Sequence, residues 1–331
     1  MNSRTPVDVG SMRKKAMPRL RFPNDHGFAF TVFDDTDNST ITNTRPVYDF
    51  LSQLGFRTTK SVWAEPPRGP SSGSCLRDEE YRAWVQALQA DGFEIGFHGV
   101  GDGDFTREEI LSGIEFFRET LGQYPRIHAN HQSNAHNVYW WGHRFPSPFN
   151  HLYTLANRIR RRQRHPGGGH VEDTAIFWGD ALKEHIQYIR NFTFNGVNTL
   201  SRDPKMPYRR QDTPLANQWF SSSDGHTVEE FNALVSPRNI DRLQREGGVC
   251  IVYTHFASGF VDGDGNLDPV FRARMERLAE RNGWFVPCST ILDHLSTTQS
   301  STRTTSTVGY QRLLALRWGL DRLVKRLRFG R

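Results

Sequence analysis

Cysteine is scarce in this chain. The three present, Cys75, Cys250 and Cys288, are odd in number and lack the paired spacing of a metal or redox site, which excludes a disulfide framework. Cys250 and Cys288 lie in apolar runs and read as buried thiols, as expected in a reducing compartment. Nothing approaches about 18 consecutive apolar residues, so no spanning helix is expected. No apolar run near Met1 has the form of a secretory signal, and the expectation is a cytoplasmic protein, peripheral on an inner membrane. A Walker-type loop, a dinucleotide fingerprint and internal repeats are all missing.

The excess of positive charge is local. Residues 310–331 hold seven basic side chains against the single acid Asp321, which accounts for the whole net charge of +6. The rest of the chain is balanced and is not a generic polyanion binder, so no nucleic-acid partner is expected. Residues 1–22 are polar and basic and read as disordered, and the Ser/Thr-rich stretch 297–308 reads as a linker.

Between these ends, strand and helix patterns alternate from 23 to 296. Residues 27–33, 56–63, 93–97, 126–130, 249–254 and 285–288 read as strands. Helices follow Thr44, Asp78 and Thr106, the last with Glu109 as a capping box and with Phe105 and Ile110 as a hydrophobic staple. Residues 181–190 read as helix and 198–226 as strand pieces and a long loop. This order predicts an α/β chain wound as a (β/α) barrel.

Several predicted strands end in groups able to do chemistry. Phe30-Thr31-Val32-Phe33 runs into Asp34 and Asp35, and other strands end at His98 and His255, with His128 and His131 near a fourth. In a parallel barrel all these ends lie on one rim. Two adjacent carboxylates are best tolerated when a metal or partner neutralises one of them. Carboxylate and imidazole ligands suit a divalent transition ion.

These residues resemble the motifs of the polysaccharide deacetylases (NodB homology, carbohydrate esterase family 4). Phe33-Asp34-Asp35-Thr36 is similar to the family's Thr-Phe-Asp-Asp-Gly strand end, and Glu94-Ile95-Gly96-Phe97-His98 to its second motif. Val252-Tyr253-Thr254-His255 resembles its last motif, and Trp284-Phe285-Val286-Pro287 fits the closing strand. The resemblance implies a distorted NodB-type (β/α) barrel over 23–296. It implies Asp34 as general base, Asp35 and His98 as metal ligands, and His255 as the acid that protonates the leaving amine. The family's second ligand His is replaced by Asp102, and its arginine-proline motif by Asn130-His131-Gln132. His131 is therefore expected to complete the site, with Asp102 as the alternative. Zinc is the expected ion, or manganese or cobalt if Asp102 is a ligand.

Trp140, Trp141 and Trp219 stand in loop-like context and, with Asn130, are expected to touch substrate, since flat rings stack on sugar faces. Arg158 to Arg164 form a basic run fit either to grip a diphosphate or to face solvent. In 309–331, Leu313, Leu316, Leu320, Leu323, Val324 and Leu327 share one helical stripe among arginines. That is the composition of a helix lying on an anionic membrane, or of one docked on a partner. The resulting expectation is a metal-dependent N-deacetylase of an N-acetylated sugar, linked to lipid or nucleotide, in bacterial surface polysaccharide biosynthesis. Its rivals are a hydrolase of another C–N bond and a non-catalytic glycan-binding protein.

Overall fold

The computed structural model describes residues 20–132, 134–159, 167–298 and 305–330. Most of the segment 1–22, half of the stretch 297–308 and the arginine run beyond Arg158 lie outside the described residues.

Eight parallel strands carry the fold: β1 (Phe28–Asp34), β2 (Thr59–Val62), β3 (Glu94–Phe97), β4 (Ile127–His128), β5 (Tyr188–Phe194), β6 (Gln218–Asp224), β7 (Val249–Thr254) and β8 (Gly283–Trp284). β1 to β7 pair in sequence order, and β7 returns to β1, so seven strands close into a barrel. One edge of β1 is divided between two partners. Phe28 and Ala29 pair with β8, while Phe33 and Asp34 pair with β2. β8 thus fills the lower gap where β1 and β2 splay apart, which is the distortion of the barrel.

The helices are α1 (Ile41–Gln53), α2 (Glu79–Ala90), α3 (Arg107–Leu121), α4 (Phe149–Ile159), α5 (Gly179–His185), α6 (Thr199–Arg202), α7 (Val228–Leu234), α8 (Pro237–Glu246), α9 (Pro269–Ala279), α10 (Cys288–Thr298) and α11 (Val308–Phe329). α3 starts as its sequence signal predicts, with Thr106 and Glu109 bonding reciprocally and Phe105 and Ile110 both buried. α1 starts earlier than expected, because Thr40 rather than Thr44 caps it, through Asn43. Residues 181–190 are not one helix: α5 ends at His185 and β5 begins at Tyr188. β6 is a strand piece within the stretch 198–226, and Phe285 to Cys288 is not a strand, since β8 lies just before it and Cys288 opens α10. All three cysteines are free and buried. No helix among the described residues is long and apolar enough to cross a membrane.

Side chains on a strand alternate between barrel interior and helix layer, and residues paired in register share a side. Phe33 is in register with Tyr253 and faces inward, its ring 6.3 Å from that of Phe220. Asp34 is in register with Lys60 and Thr254 and faces outward, under α1 and α2. There Lys60 Nζ donates to Asp34 Oδ2 at 3.2 Å, Tyr48 OH donates to the same oxygen at 2.9 Å, and the Phe256 amide donates to Oδ1 at 2.8 Å. The ammonium lies 5.6–5.8 Å from the rings of Tyr48, Tyr81 and Trp84. Both charged side chains are fully buried. Removing one partner of such a pair leaves an uncompensated charge. Lys60→Met should therefore lower unfolding free energy by about 3–5 kcal/mol in urea titrations, and Asp34→Asn in the same chain should recover part of the loss.

Candidate active site

The same alternation decides which acids reach the rim. Asp35 follows Asp34 and turns inward, and the turn after β1 brings Asp37 to the same cluster. Arg190 extends from β5 beneath the rim and forks onto Asp35, Nη1 to Oδ1 at 2.8 Å and Nη2 to Oδ2 at 2.6 Å. Burial alone would raise the Asp35 pKa, but the Arg190 charge, with His98 and His255, outweighs it and holds the carboxyl below its ordinary range.

Three imidazoles surround Asp37. His98, one residue past β3, places Nε2 3.1 Å from Asp37 Oδ1 and 3.8 Å from Asp35 Oδ2. His131, in the loop after β4, places Nε2 3.3 Å from Asp37 Oδ2, and His255, one residue past β7, places its own 3.4 Å from the same oxygen. The ligand atoms of Asp37, His98 and His131 all lie within 4.8 Å of one another. Asp37 Oδ1 is buried and has no well-aligned hydrogen-bond donor despite the nearby imidazole. A carboxylate oxygen and two imidazole nitrogens converging without satisfying each other fit a divalent ion. Burial works against protonating His131 and His255, and Asp37 outweighs it, raising both above the ordinary imidazole range.

The fourth strand separates its two imidazoles. His128 is in register with Phe97 and faces the helix layer, 5.4 Å from the Trp178 ring. Burial there pushes its pKa down to about 4. Asp102 is fully buried and accepts from the Ser71 amide, with Oδ1 3.3 Å from His131 Nδ1. The loop over it needs Gly69, whose hypothetical Cβ would fall 2.5 Å from that oxygen. With Asp102 and Asn134 against Nδ1, His131 is oriented to present Nε2 to the site.

The acids and imidazoles open into a cleft of about 220 Å³. A larger groove, of about 790 Å³, lies beside Trp141 and α4 and holds none of the cluster. Asn130, Trp140 and Trp141 line the cleft. Trp219 does not. It lies in β6, buried, its indole N–H donating to Thr213 Oγ1 at 2.9 Å. Asp34 is likewise outside the cleft, in the helix layer. His226 lines it, with Nδ1 2.9 Å from Tyr253 OH and its ring 4.4 Å from that of His255.

The C-terminal helix supplies one wall. α11 packs on β5 with its polar face inward. Tyr310 OH donates to Asp203 at 2.5 Å, Asp321 accepts from the Asn195 amide at 2.7 Å, and Lys325 Nζ donates to Asp224 and Glu230 at 3.0 and 2.6 Å. Arg322 also donates to Asp224, and both Trp318 and Arg322 line the cleft. Its opposite face leaves Leu313, Leu316, Leu320, Leu323, Val324 and Leu327 between 41% and 89% exposed.

Asp37, Arg190, His226, Trp318 and Arg322 were not singled out from sequence as cleft groups. Asp37 lies in the turn after β1, where strand alternation no longer applies, so no local signal marks it as the partner of Asp35.

No family profile matches the chain, and no curated protein matches it in sequence. Among solved structures, it is similar to a candidate polysaccharide deacetylase from Mycobacterium smegmatis, with 12% identity, 88% of this chain and 98% of that one covered, and a TM-score of 0.50. It is equally similar to PuuE allantoinase, with 13% identity, coverages of 90% and 99%, and a TM-score of 0.50. These likenesses establish the fold, the distorted barrel that the sequence resemblance implies.

Proposed function

We propose that this chain is a metal-dependent hydrolase that removes the N-acetyl group from a sugar during synthesis of a bacterial surface polysaccharide. The observation that carries the reading is the convergence of Asp37, His98 and His131 at the floor of a cleft flanked by Asp35 and His255. A divalent ion held by those three side chains would polarise the amide carbonyl and acidify an attacking water. Asp35, kept ionised by Arg190, accepts the proton of that water. His255, beside Asp37, gives a proton to the departing nitrogen as the C–N bond breaks and the C–O bond forms. Trp140 and Trp141 supply flat faces for the sugar ring. The fold likeness to a protein described as a polysaccharide deacetylase supports this choice.

A second reading, hydrolysis of another C–N bond in a small molecule, is favoured by the cleft volume. About 220 Å³ is below the usual range of ligand sites, about 300–1,000 Å³, and suits one ring rather than a polymer segment. The complete acid and imidazole set favours either hydrolase over a non-catalytic glycan binder.

The exposed stripe of α11 supports a membrane-proximal site. Arg326 and Arg328 border it, and α4, which meets α11 through Tyr153 and Trp318, exposes Leu152, Leu155 and Ile159. Leucines flanked by arginines suit an anionic lipid surface, and a lipid-linked sugar would then reach a cleft that α11 itself walls.

Acetate release from N-acetylhexosamine conjugates, assayed with zinc, manganese and cobalt, should be detected with at least one metal and fall about 10²–10⁴-fold in Asp35→Asn. Absence of turnover with all three, or wild-type turnover in Asp35→Asn, contradicts the proposal. In co-sedimentation with vesicles containing phosphatidylglycerol, the full chain should bind, and Leu320→Glu with Leu327→Glu should abolish binding while acetate release is kept. Wild-type protein left in the supernatant rules out the lipid surface in favour of a protein partner.

A further inference from the structure

Arg144 stands apart from the other cations of the cleft. Arg190 is forked onto Asp35, and Arg322 is held by Asp224. Arg144, at the end of the short turn Trp141–Arg144, has no carboxylate within 4.0 Å among the described residues. Its Nε donates to Asn191 Oδ1 at 3.3 Å and its Nη2 to the Asn191 carbonyl, while Nη1 donates to no protein atom among those residues. The guanidinium is enclosed by aromatic faces, with ring centroids of Trp140, Phe192 and Trp318 at 4.4, 4.7 and 5.3 Å. Burial pushes its pKa down to about 9, still charged at neutral pH.

A partly buried charge without a counter-ion is costly, and aromatic faces offset only part of that cost. A neutral side chain of similar shape would pack among these rings more cheaply. The same wall holds a second incomplete donor, since Arg322 Nε is buried without a partner. Arg322 reaches this wall from α11, far along the chain from Arg144. Planar guanidinium forks match the oxygens of carboxylates and phosphates, and a ligand oxyanion here would supply the missing charge.

We propose that the sugar bound in this cleft carries an anionic group, a carboxylate or a phosphate, that docks on Arg144 with Arg322 beside it. The inference deepens the reading of the cleft as a sugar site and rests on it, but not on its hydrolytic chemistry. It makes Arg144 a specificity-determining residue that separates acidic or phosphorylated N-acetyl sugars from neutral ones.

The test is calorimetric titration of the full chain with N-acetylglucosamine, N-acetylglucosamine 1-phosphate and N-acetylmuramic acid. At least one anionic sugar should bind about tenfold or more tightly than the neutral one, and the tighter of the two identifies phosphate or carboxylate as the docked group. Arg144→Met should erase the preference without weakening the neutral sugar. Because an oxyanion also attracts a metal ion, this loss in the variant is what assigns the preference to Arg144. If Arg144→Met does not fold, Arg144→Lys, which keeps the charge and loses the fork, should reduce the preference. Equal affinity for all three sugars, no binding of any, or a preference unchanged in the folded variant overturns the proposal. Anion preference without acetate release from any sugar would remove the hydrolase reading and leave this one standing.

Discussion

The chemistry of this protein depends on how one strand turns its side chains at its last residue. β1 ends at Asp34, which the two-residue period of the strand sends into the helix layer. There it becomes half of a buried ion pair with Lys60, held also by Tyr48 and the backbone of Phe256. Asp35 and Asp37 then face the rim. Had the register been shifted by one residue, Asp34 would face the cleft and Lys60 would lose its counter-ion. The ion pair thus locks the register that places the other two acids. Asp34 also ties β1 to the segment after β7, since its Oδ1 accepts from the residue next to His255. The strand that delivers the carboxylates and the one that delivers the imidazole are joined just below the site.

The second constraint is on α11. An amphipathic helix normally buries its apolar stripe. Here the stripe is outward, and the buried face carries Gln311, Asp321 and Lys325 with Leu314 and Ala315. The reason lies in what the barrel rim offers: Asp203, Asp224 and Glu230 are buried acids that need donors, and Tyr310, Arg322 and Lys325 provide them. Burial raises Asp203 to about 6, and the same burial makes an unmatched acid at this rim expensive. The helix is therefore part of the folded body. Its removal would take away Trp318 and Arg322, so any membrane role belongs to its outer leucines and not to a detachable tail.

Much of the frame was readable from sequence. The Thr106–Glu109 box and the apolar runs of β1, β3 and β7 carry their own signals, and the strand-end positions of His98 and His255 follow from them. β5 was hidden because it carries Arg190 and Asn191, polar groups that face a site and break the apolar run of a buried strand. Trp219 looked like a loop aromatic because β6 mixes it with Gln218 and three serines whose partners are distant in sequence. The pairing of Arg190 with Asp35, separated by 155 residues, has no local signature at all. The resemblance implies Asp34 as the base, but neighbours on a regular strand point to opposite sides, and Asp34 faces Lys60 in the helix layer.

The account stands on Asp37, His98 and His131 holding one cation, and a cobalt(II) titration followed by visible absorption reads this directly. The full chain should take up one equivalent with the absorption of a nitrogen- and oxygen-ligated ion, and Asp37→Asn should lose both the stoichiometry and the band while keeping its fold by circular dichroism. A full chain that binds no ion, or a folded Asp37→Asn chain that binds it as the unaltered protein does, would contradict the account.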